Sequence, residues 1–381
     1  MVKIREVDEV LDHPNADRMK IARVGGWQVC VAYNPETGEA AVSPGDLCVY
    51  FPPDAVLPPE LANGPEDEPK GRLNVKKYLN MLPKNEDGTR PPGGRVKAAR
   101  LRGVESFGVL MKLDTSQGDD PTWKVGDDVA DHFGVTKWEP PVKTVGGDIL
   151  PEHPRFHTYT DIENIRNFPD VFKEGETVIM TEKIHGTNSR LGAVLDSETG
   201  EWEYMAGSHG TRRKEIDDKG RRSMYWEPMT DKVKSVINSL VNKEHFEPIH
   251  SVLVFGEIYG SGVQDMKYGL ADGQKGFRVF DIAINGVYMD YEERVALLDK
   301  YGVESVPVLY KGPFSLEVLE EHTNGPTTLC DEEDAGKFKG REGVVIVPIK
   351  ERYEEGDLNG RCILKSISAD YLARKGGTDS H

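Results

Sequence analysis

Turns come so often in this chain that long helices have little room. Forty glycines and 24 prolines are spread through 381 residues, and the apolar runs between them are short. That pattern predicts sheets joined by tight turns, with a few short helices. Ile21–Val24, Trp27–Val31 and Leu47–Phe51 read as strands, separated by Gly25-Gly26, Asn34-Pro35 and Pro44-Gly45-Asp46. Strand patterns resume at Arg95–Arg102 and Phe107–Leu113, and Val125–Val129 is a further short element. Strands at this spacing predict a small β-barrel over residues 1–140. Residues 59–94 are rich in Pro, Gly, Asn, Asp, Glu and Lys and read as an insertion, with one short helix near Val75–Met81.

Residues 141–155 have linker composition, so a second domain is expected over 156–381. Thr230–Lys243 is apolar at Val233, Val236, Ile237, Leu240 and Val241, a helical spacing. Asp290 to Glu293 carries a capping-box pattern before Val295–Tyr301, and Gly302 follows. Asn285-Gly286 reads as a tight hairpin turn. No Gly-x-Gly-x-x-Gly follows a strand, which argues against a dinucleotide-binding unit. The expected class is α+β, with antiparallel sheets and flanking helices.

Bulk charge excludes a general polyanion binder, because the formal net charge is −17. It leaves room for a local basic groove, since counterion release depends only on the phosphates contacted. Arg212-Arg213-Lys214 with Lys219, Arg221 and Arg222 is one such cluster, though Glu215, Asp217 and Asp218 interleave with it. It reads equally as a solvated loop or a phosphate contact. No apolar run is long enough to span a membrane, and the first residues hold no apolar leader, so a cytoplasmic, non-membrane protein is expected. The four cysteines are widely spaced without a C-x-x-C pair, which fits free thiols in a reducing compartment.

Five short motifs in a fixed order carry the chemistry. They are Lys183-Ile-His-Gly-Thr-Asn188, Phe255-Gly-Glu257-Ile-Tyr-Gly260, Phe277-Arg-Val-Phe280-Asp281, Arg341-Glu342-Gly-Val-Val and Leu364-Lys365-Ser-Ile-Ser368. Together they supply the parts of lysine-linked nucleotide transfer. Lys183 is an amine nucleophile; it attacks phosphorus only when uncharged, so its site must oppose a reference pKa of about 10.4. Glu257 and Glu342 sit in apolar strand-like runs, where a carboxylate is costly unless paired or metal-bound. They can converge on a hydrated Mg²⁺ or Mn²⁺. Phe280 offers a face for a purine, and Lys365 a fixed cation for charge growing on a phosphate. Gly186-Thr187-Asn188 reads as a tight turn that lets a nucleotide approach the backbone, with Asn188 near a ribose hydroxyl.

This set resembles the covalent nucleotidyltransferases: ATP-dependent RNA and DNA ligases and capping enzymes. With His at 185, the first motif is most similar to the RNA ligases. Tyr159–Arg166 and the ending Lys365–Thr378 resemble the Deinococcus-type nick-sealing RNA ligases. Asp12–Arg18, Pro44-Gly45-Asp46 and Leu101–Gly108 look like oligonucleotide-binding (OB) folds appended to aminoacyl-tRNA synthetases. The resemblance implies an N-terminal OB barrel and an ATP-grasp-like adenylation domain. It implies Lys183 as nucleophile; Glu182, Ile184, Gly186, Asn188, Arg190, Glu257, Phe280, Glu342 and Lys365 around the nucleotide; and Glu257 and Glu342 on the metal. His185, Ser208, His209, Arg212 and Arg213 are implied near substrate or phosphate. Ile367 stands where the family often has a second lysine, and Ser208-His209 where it often has Ser-Arg. The chain ends soon after Lys365, without the C-terminal barrel of DNA ligases and capping enzymes, which leaves Arg190, Arg212 or Arg213 to orient pyrophosphate.

The implied activity is sealing of 3′-hydroxyl and 5′-phosphate ends from ATP, through lysyl-AMP and a 5′-adenylylated strand. The implied partner is RNA or a nicked duplex with RNA on the 3′-hydroxyl side, with no obligate protein partner. A GTP-using capping-type guanylyltransferase and a non-catalytic RNA-binding protein are the alternatives. Trp27, Tyr33 and Phe107 are barrel core or stacking surfaces for unpaired bases.

Overall fold

The computed structural model describes residues 1–62, 72–73, 75, 78–85, 87–138, 148–243, 248–336, 338–356, 358–374 and 377–379. The chain forms two compact units: Met1–Val142 with Asn164–Pro169 and Ala369–His381, and Lys143–Glu163 with Asp170–Ser368.

The first unit is built from short antiparallel strands. Leu47–Phe51 pairs with Lys3–Glu6 on one side and Val109–Lys112 on the other. Glu9–Asp12, Met19–Val24, Trp27–Asn34 and Glu39–Ala40 follow one another in a second sheet. Val2, Ile4, Val49, Phe51, Leu57, Leu79, Val96 and Val109 meet in its core. Each such side chain contributes roughly 1.5–3 kcal/mol of burial. Trp27 and Phe107 are buried, with Arg166 over both rings, so they serve the core. The helix expected near Val75–Met81 is corrected where it is described: Leu79–Asn80 is a strand paired with Gly94–Val96. Residues 74, 76 and 77 lie outside the described residues, as do 63–71 of the insertion and 141–147 of the linker.

The second unit holds two antiparallel sheets. One runs in the order Ile149–Leu150, Arg212–Arg213, Trp202–Ser208, Thr187–Leu195, Ser251–Gly260, Lys275–Ile284, Val287–Tyr288. The other includes Leu364–Ile367, Gly343–Pro348, Thr177–Lys183 and Val308–Pro313, neighbours in that order. Linker composition therefore concealed a strand at Ile149–Leu150, whose partner Arg212–Arg213 is remote in sequence. Asn285 and Gly286 turn the last hairpin with φ of 51° and 85°, the left-handed pair that a two-residue turn requires.

Period-two alternation gives the larger sheet two apolar faces. Leu191, Ala193, Val252, Val254, Val279 and Ile282 point to the helix Asp231–Val241, which returns Val233, Val236, Ile237 and Leu240. Thr230 caps that helix by accepting from the Val233 amide. The other face, with Val194, Phe255 and Ala283, meets Ile179, Val345 and Val347 of the smaller sheet. Tyr291–Tyr301 is helical as expected, but Asp290 makes no side-chain cap. Its carboxylate accepts from Lys350 Nζ (2.6 Å) and the Glu351 amide (2.8 Å) instead. Among the described residues no helix is long and apolar enough to cross a membrane.

Candidate active site

The space between the two sheets becomes polar where their strands run out. Lys183 lies four residues beyond Ile179 and so on the same face of its strand. Glu257 follows Phe255 by two, and Asn188 is its direct cross-strand partner. Lys365 stands opposite Val345. The register thus places four motif residues, from four strands, on the faces that meet at this interlayer.

Lys183 Nζ lies 2.6 Å from Glu342 Oε1, with the lysine side chain 12% exposed and the glutamate 1%. Glu342 immediately precedes its strand, Gly343–Pro348, and Gly343 pairs with Lys183. Arg341 does not take the carboxylate; it donates to the carbonyls of Pro326 and His322 (both 3.1 Å). Burial pushes the Glu257 carboxyl up to about 8; Lys183 pulls it down, and Glu342 pushes it up again. These three groups are electrostatically coupled. Among the described residues no three Asp, Glu, His or Cys side chains form a closed metal cage. Two carboxylates suit an open site in which water and phosphate complete the shell.

His185 sits between two carboxylates. Its Nδ1 is 3.1 Å from Glu342 Oε2 and its Nε2 2.8 Å from Asp265 Oδ1, while its amide donates to Tyr268 Oη (2.6 Å). Ile184 is buried beside it. Gly186 is required by packing within the fold: a Cβ there would stand 2.1 Å from the Ile258 carbonyl oxygen. The close approach foreseen for a nucleotide is thus already made by the neighbouring strand. Asn188 Oδ1 is buried and has no hydrogen-bond partner among the described residues. An unsatisfied acceptor in a cleft is costly until a donor arrives.

Glu182 alternates to the opposite side from Lys183. Its carboxylate accepts from Thr327 Oγ1 (2.5 Å), the Thr328 amide (2.8 Å) and Thr328 Oγ1 (2.6 Å). Phe280 is a bulge residue: Phe255 pairs with Asp281 and Gly256 with Val279, which leaves Phe280 unpaired. Its ring packs on Tyr159 at 4.7 Å between centroids.

The arginines stand differently from expectation. Arg190 is 0% exposed, and donates to the carbonyls of Ser208 (2.7 Å) and Phe156 (2.6 Å) and to Glu152 (3.0 Å). Burial lowers its pKa, with Glu152 opposing. It holds strands together, with all three guanidinium nitrogens engaged. Arg213 pairs with Asp148 at 2.7 Å, and Arg212 with Glu203. Ser208 and Thr211 close the turn between them through the Ser208 amide (2.9 Å), and His209 is exposed, 3.4 Å from Asp161. Lys214, Arg221 and Arg222 each meet a carboxylate within 3.2 Å, so this cluster is largely neutralised.

Asp265, Tyr268, Thr327, Thr328 and Tyr159 were not singled out as site residues from the sequence. All but Tyr159 lie in polar stretches without periodicity. Tyr159 alone carried a signal, as part of a stretch with family resemblance.

The model of the RNA ligase family matches residues 176–367, and that of an OB-fold domain matches residues 1–113. The chain belongs to the RNA ligase family and is an enzyme of that family, with an N-terminal OB fold ahead of an α+β nucleotidyltransferase domain. No curated protein matches it. Among solved structures it is similar to Naegleria gruberi RNA ligase in a lysine-to-alanine variant with ATP and Mn. That match has a TM-score of 0.71 and 23% identity, over 97% of this chain and 98% of the other. The same ligase with PPi gives a TM-score of 0.69 at 24% identity, over 97% of each chain. A lysine-to-methionine variant with AMP and Mn gives 0.71 at 23%, again over 97% of each.

Proposed function

We propose that this protein joins RNA 3′-hydroxyl and 5′-phosphate ends at the expense of ATP, with Lys183 as the carrier of AMP. The observation behind the reading is the 2.6 Å contact between Lys183 and the buried Glu342, with Glu257 coupled to both. In the resting enzyme Glu342 holds the lysine. For reaction the ammonium loses its proton to solvent and the free amine attacks the α-phosphorus of ATP. A nitrogen–phosphorus bond forms, the bond to the β-phosphate oxygen breaks, and pyrophosphate leaves. An oxygen of the 5′-phosphate then displaces the lysine, giving a 5′–5′ pyrophosphate linkage. Finally the 3′-hydroxyl attacks the activated phosphorus and AMP departs.

Glu257 and Glu342 would hold a divalent cation, Mg²⁺ or Mn²⁺, whose charge neutralises the phosphates. The Mn in the Naegleria ligase structures supports this assignment, and the ATP there supports adenylate as the group carried. Asn188 Oδ1 accepts from a ribose hydroxyl, Phe280 backed by Tyr159 faces the base, and Lys365 balances the α-phosphate. Glu182, bound to Thr327 and Thr328, and the buried Ile184 brace the strand end that carries Lys183, and Gly186 keeps the strand contact tight. His185 serves the later steps. Ser208, His209 and Arg212 meet the substrate strand, while Arg190 and Arg213, the latter held by Asp148, support them from inside the sheet. The finer substrate is a nicked duplex with RNA on the 3′-hydroxyl side, read by its 2′-hydroxyls and A-like shape. The unit built on residues 1–142, with Asn164–Pro169 and Ala369–His381, serves as the nucleic-acid module, and the unit of Lys143–Glu163 and Asp170–Ser368 as the transferase.

Intact-mass analysis after incubation with ATP or GTP tests the reading. The expected outcome is a gain of one AMP from ATP, none from GTP, and no adduct in Lys183→Ala. An adduct that survives in that variant, or one of GMP, overturns it.

A further inference from the structure

The first unit contains a groove of about 620 Å³ that the reaction above does not use. Its cationic lining residues are Arg90, Arg95, Lys97 and Arg374, and among the described residues no Asp or Glu lines it. This is unusual in a chain with 65 acidic and 48 basic residues. Two of the four are committed in part. Arg95 is bonded to the buried Asp54 (2.7 Å) and lies over the Trp138 ring at 3.6 Å, and Arg374 stacks on Tyr371 at 4.2 Å. Arg90 is exposed, and its Nη1 bond to the Leu82 carbonyl (2.5 Å) fixes the guanidinium, with no ion pair to a carboxylate among the described residues. Lys97 has no carboxylate within ion-pair distance among the described residues. Met81, Leu82, Leu372 and Trp138 supply apolar wall.

We propose that this groove binds the sugar–phosphate backbone of the RNA to be joined. Paired cations beside apolar wall are the chemistry of a polynucleotide track: charge for successive phosphates, apolar surface for sugar or base. The volume exceeds that of one phosphate and suits a nucleotide-sized segment. Trp138, Leu372 and Arg374 lie beyond residues 1–113, the part matched as an OB-fold domain. The track is thus assembled from the insertion, the strand residues that follow it, Trp138 and the segment holding Leu372 and Arg374. The inference takes its ligand from the proposed RNA ligase activity, but it is read by binding, without ATP.

Two measurements on the full chain test it. In lysine acetylation footprinting, a nicked RNA duplex protects Lys97 and ATP alone does not. The variant Arg90→Ala with Lys97→Ala binds the same duplex about tenfold more weakly near physiological salt. Its log–log salt slope falls by about one for each lost phosphate contact. Its lysyl-AMP formation from ATP is unchanged. Equal acetylation of Lys97 with and without RNA overturns the proposal, as does wild-type affinity and slope in the variant. Protection by ATP alone overturns the polynucleotide reading. Absence of lysyl-AMP in the wild type, with Lys97 still protected by RNA, counts against the role of Lys183 and leaves the groove standing.

Discussion

Glu257 sets stability against reactivity at a single carboxyl. Its folded pKa is raised from 4.5 to about 8, chiefly by burial. The native state therefore retains a proton that the unfolded chain gives up above about pH 4.5. Stability from this group is greatest below that pH and declines as pH rises through about 8. A glutamine keeps the shape and cannot ionise. The variant Glu257→Gln should therefore melt higher than the wild type at pH 9 without metal or ATP, by on the order of 2 kcal/mol once residual solvent access is allowed for. The two should converge near pH 5. The variant should also form no lysyl-AMP. Thermal melts across pH, with a mass assay alongside, check both; a variant less stable at pH 9 contradicts the argument. The residues that the structure brings together, Lys183, Glu257 and Glu342, could be picked out because each stands inside a short motif and the motifs keep an order. Their supports were not. Thr327 reaches Glu182 across 145 residues and Asp265 reaches His185 across 80, from loops whose composition says only that they are polar.

The strand Lys275–Ile284 shows what one extra residue does to an element. The bulge at Phe280 interrupts alternation, so Phe280 and Asp281 both reach the interlayer side, where Tyr159 packs on the first and donates to the second (2.6 Å). Asp281 also binds Arg361 (2.7 Å) and Arg294 (2.5 Å), all three groups being at most 5% exposed. Arg361 binds Glu351 as well (2.5 Å). One partner removed from a buried ionic cluster leaves uncompensated charge, at about 3–5 kcal/mol. Asp281→Asn should therefore lower stability by that order. It should also loosen Tyr159 behind Phe280, raising the KM for ATP in lysyl-AMP formation more than it lowers the rate at saturation. A urea melt and a single-turnover ATP titration measure the two effects; unchanged stability would show that the cluster does not hold the strand. At this scale the hairpin Asn285-Gly286 and the helix after Thr230 were readable, since turn chemistry and helical period are local. The bulge and the diverted Asp290 were not, because each is defined by a partner that sequence order does not reveal.

For the molecule as a whole, the chain's last segment belongs with its first. Ala369–His381 joins the unit of Met1–Val142, so the barrel is completed only after the transferase strands have been made. Asp54 is the fastening. It is 3% exposed, with φ of 71°, and its carboxylate accepts from Arg95 Nε (2.7 Å), Thr378 Oγ1 (2.7 Å) and the Asp379 amide (2.8 Å). A β-rich first half and an α+β second half were legible from turn spacing. The return of the tail was not, because nothing local in Gly377-Thr378-Asp379 records a partner 324 residues earlier. The consequence is specific. Thr378→Val keeps the side-chain shape and removes one donor from a buried anion, a loss of about 1–3 kcal/mol. Amide hydrogen exchange should quicken in the strands Ala55–Leu57 and Gly94–Val96, beside the fastening. Thr177–Lys183 and Ser251–Gly260 should exchange as before, and lysyl-AMP should still form. If protection fell equally in both sets of strands, the tail would be fastening more than the barrel. If it fell in neither, Asp54 would not be what holds the end of the chain.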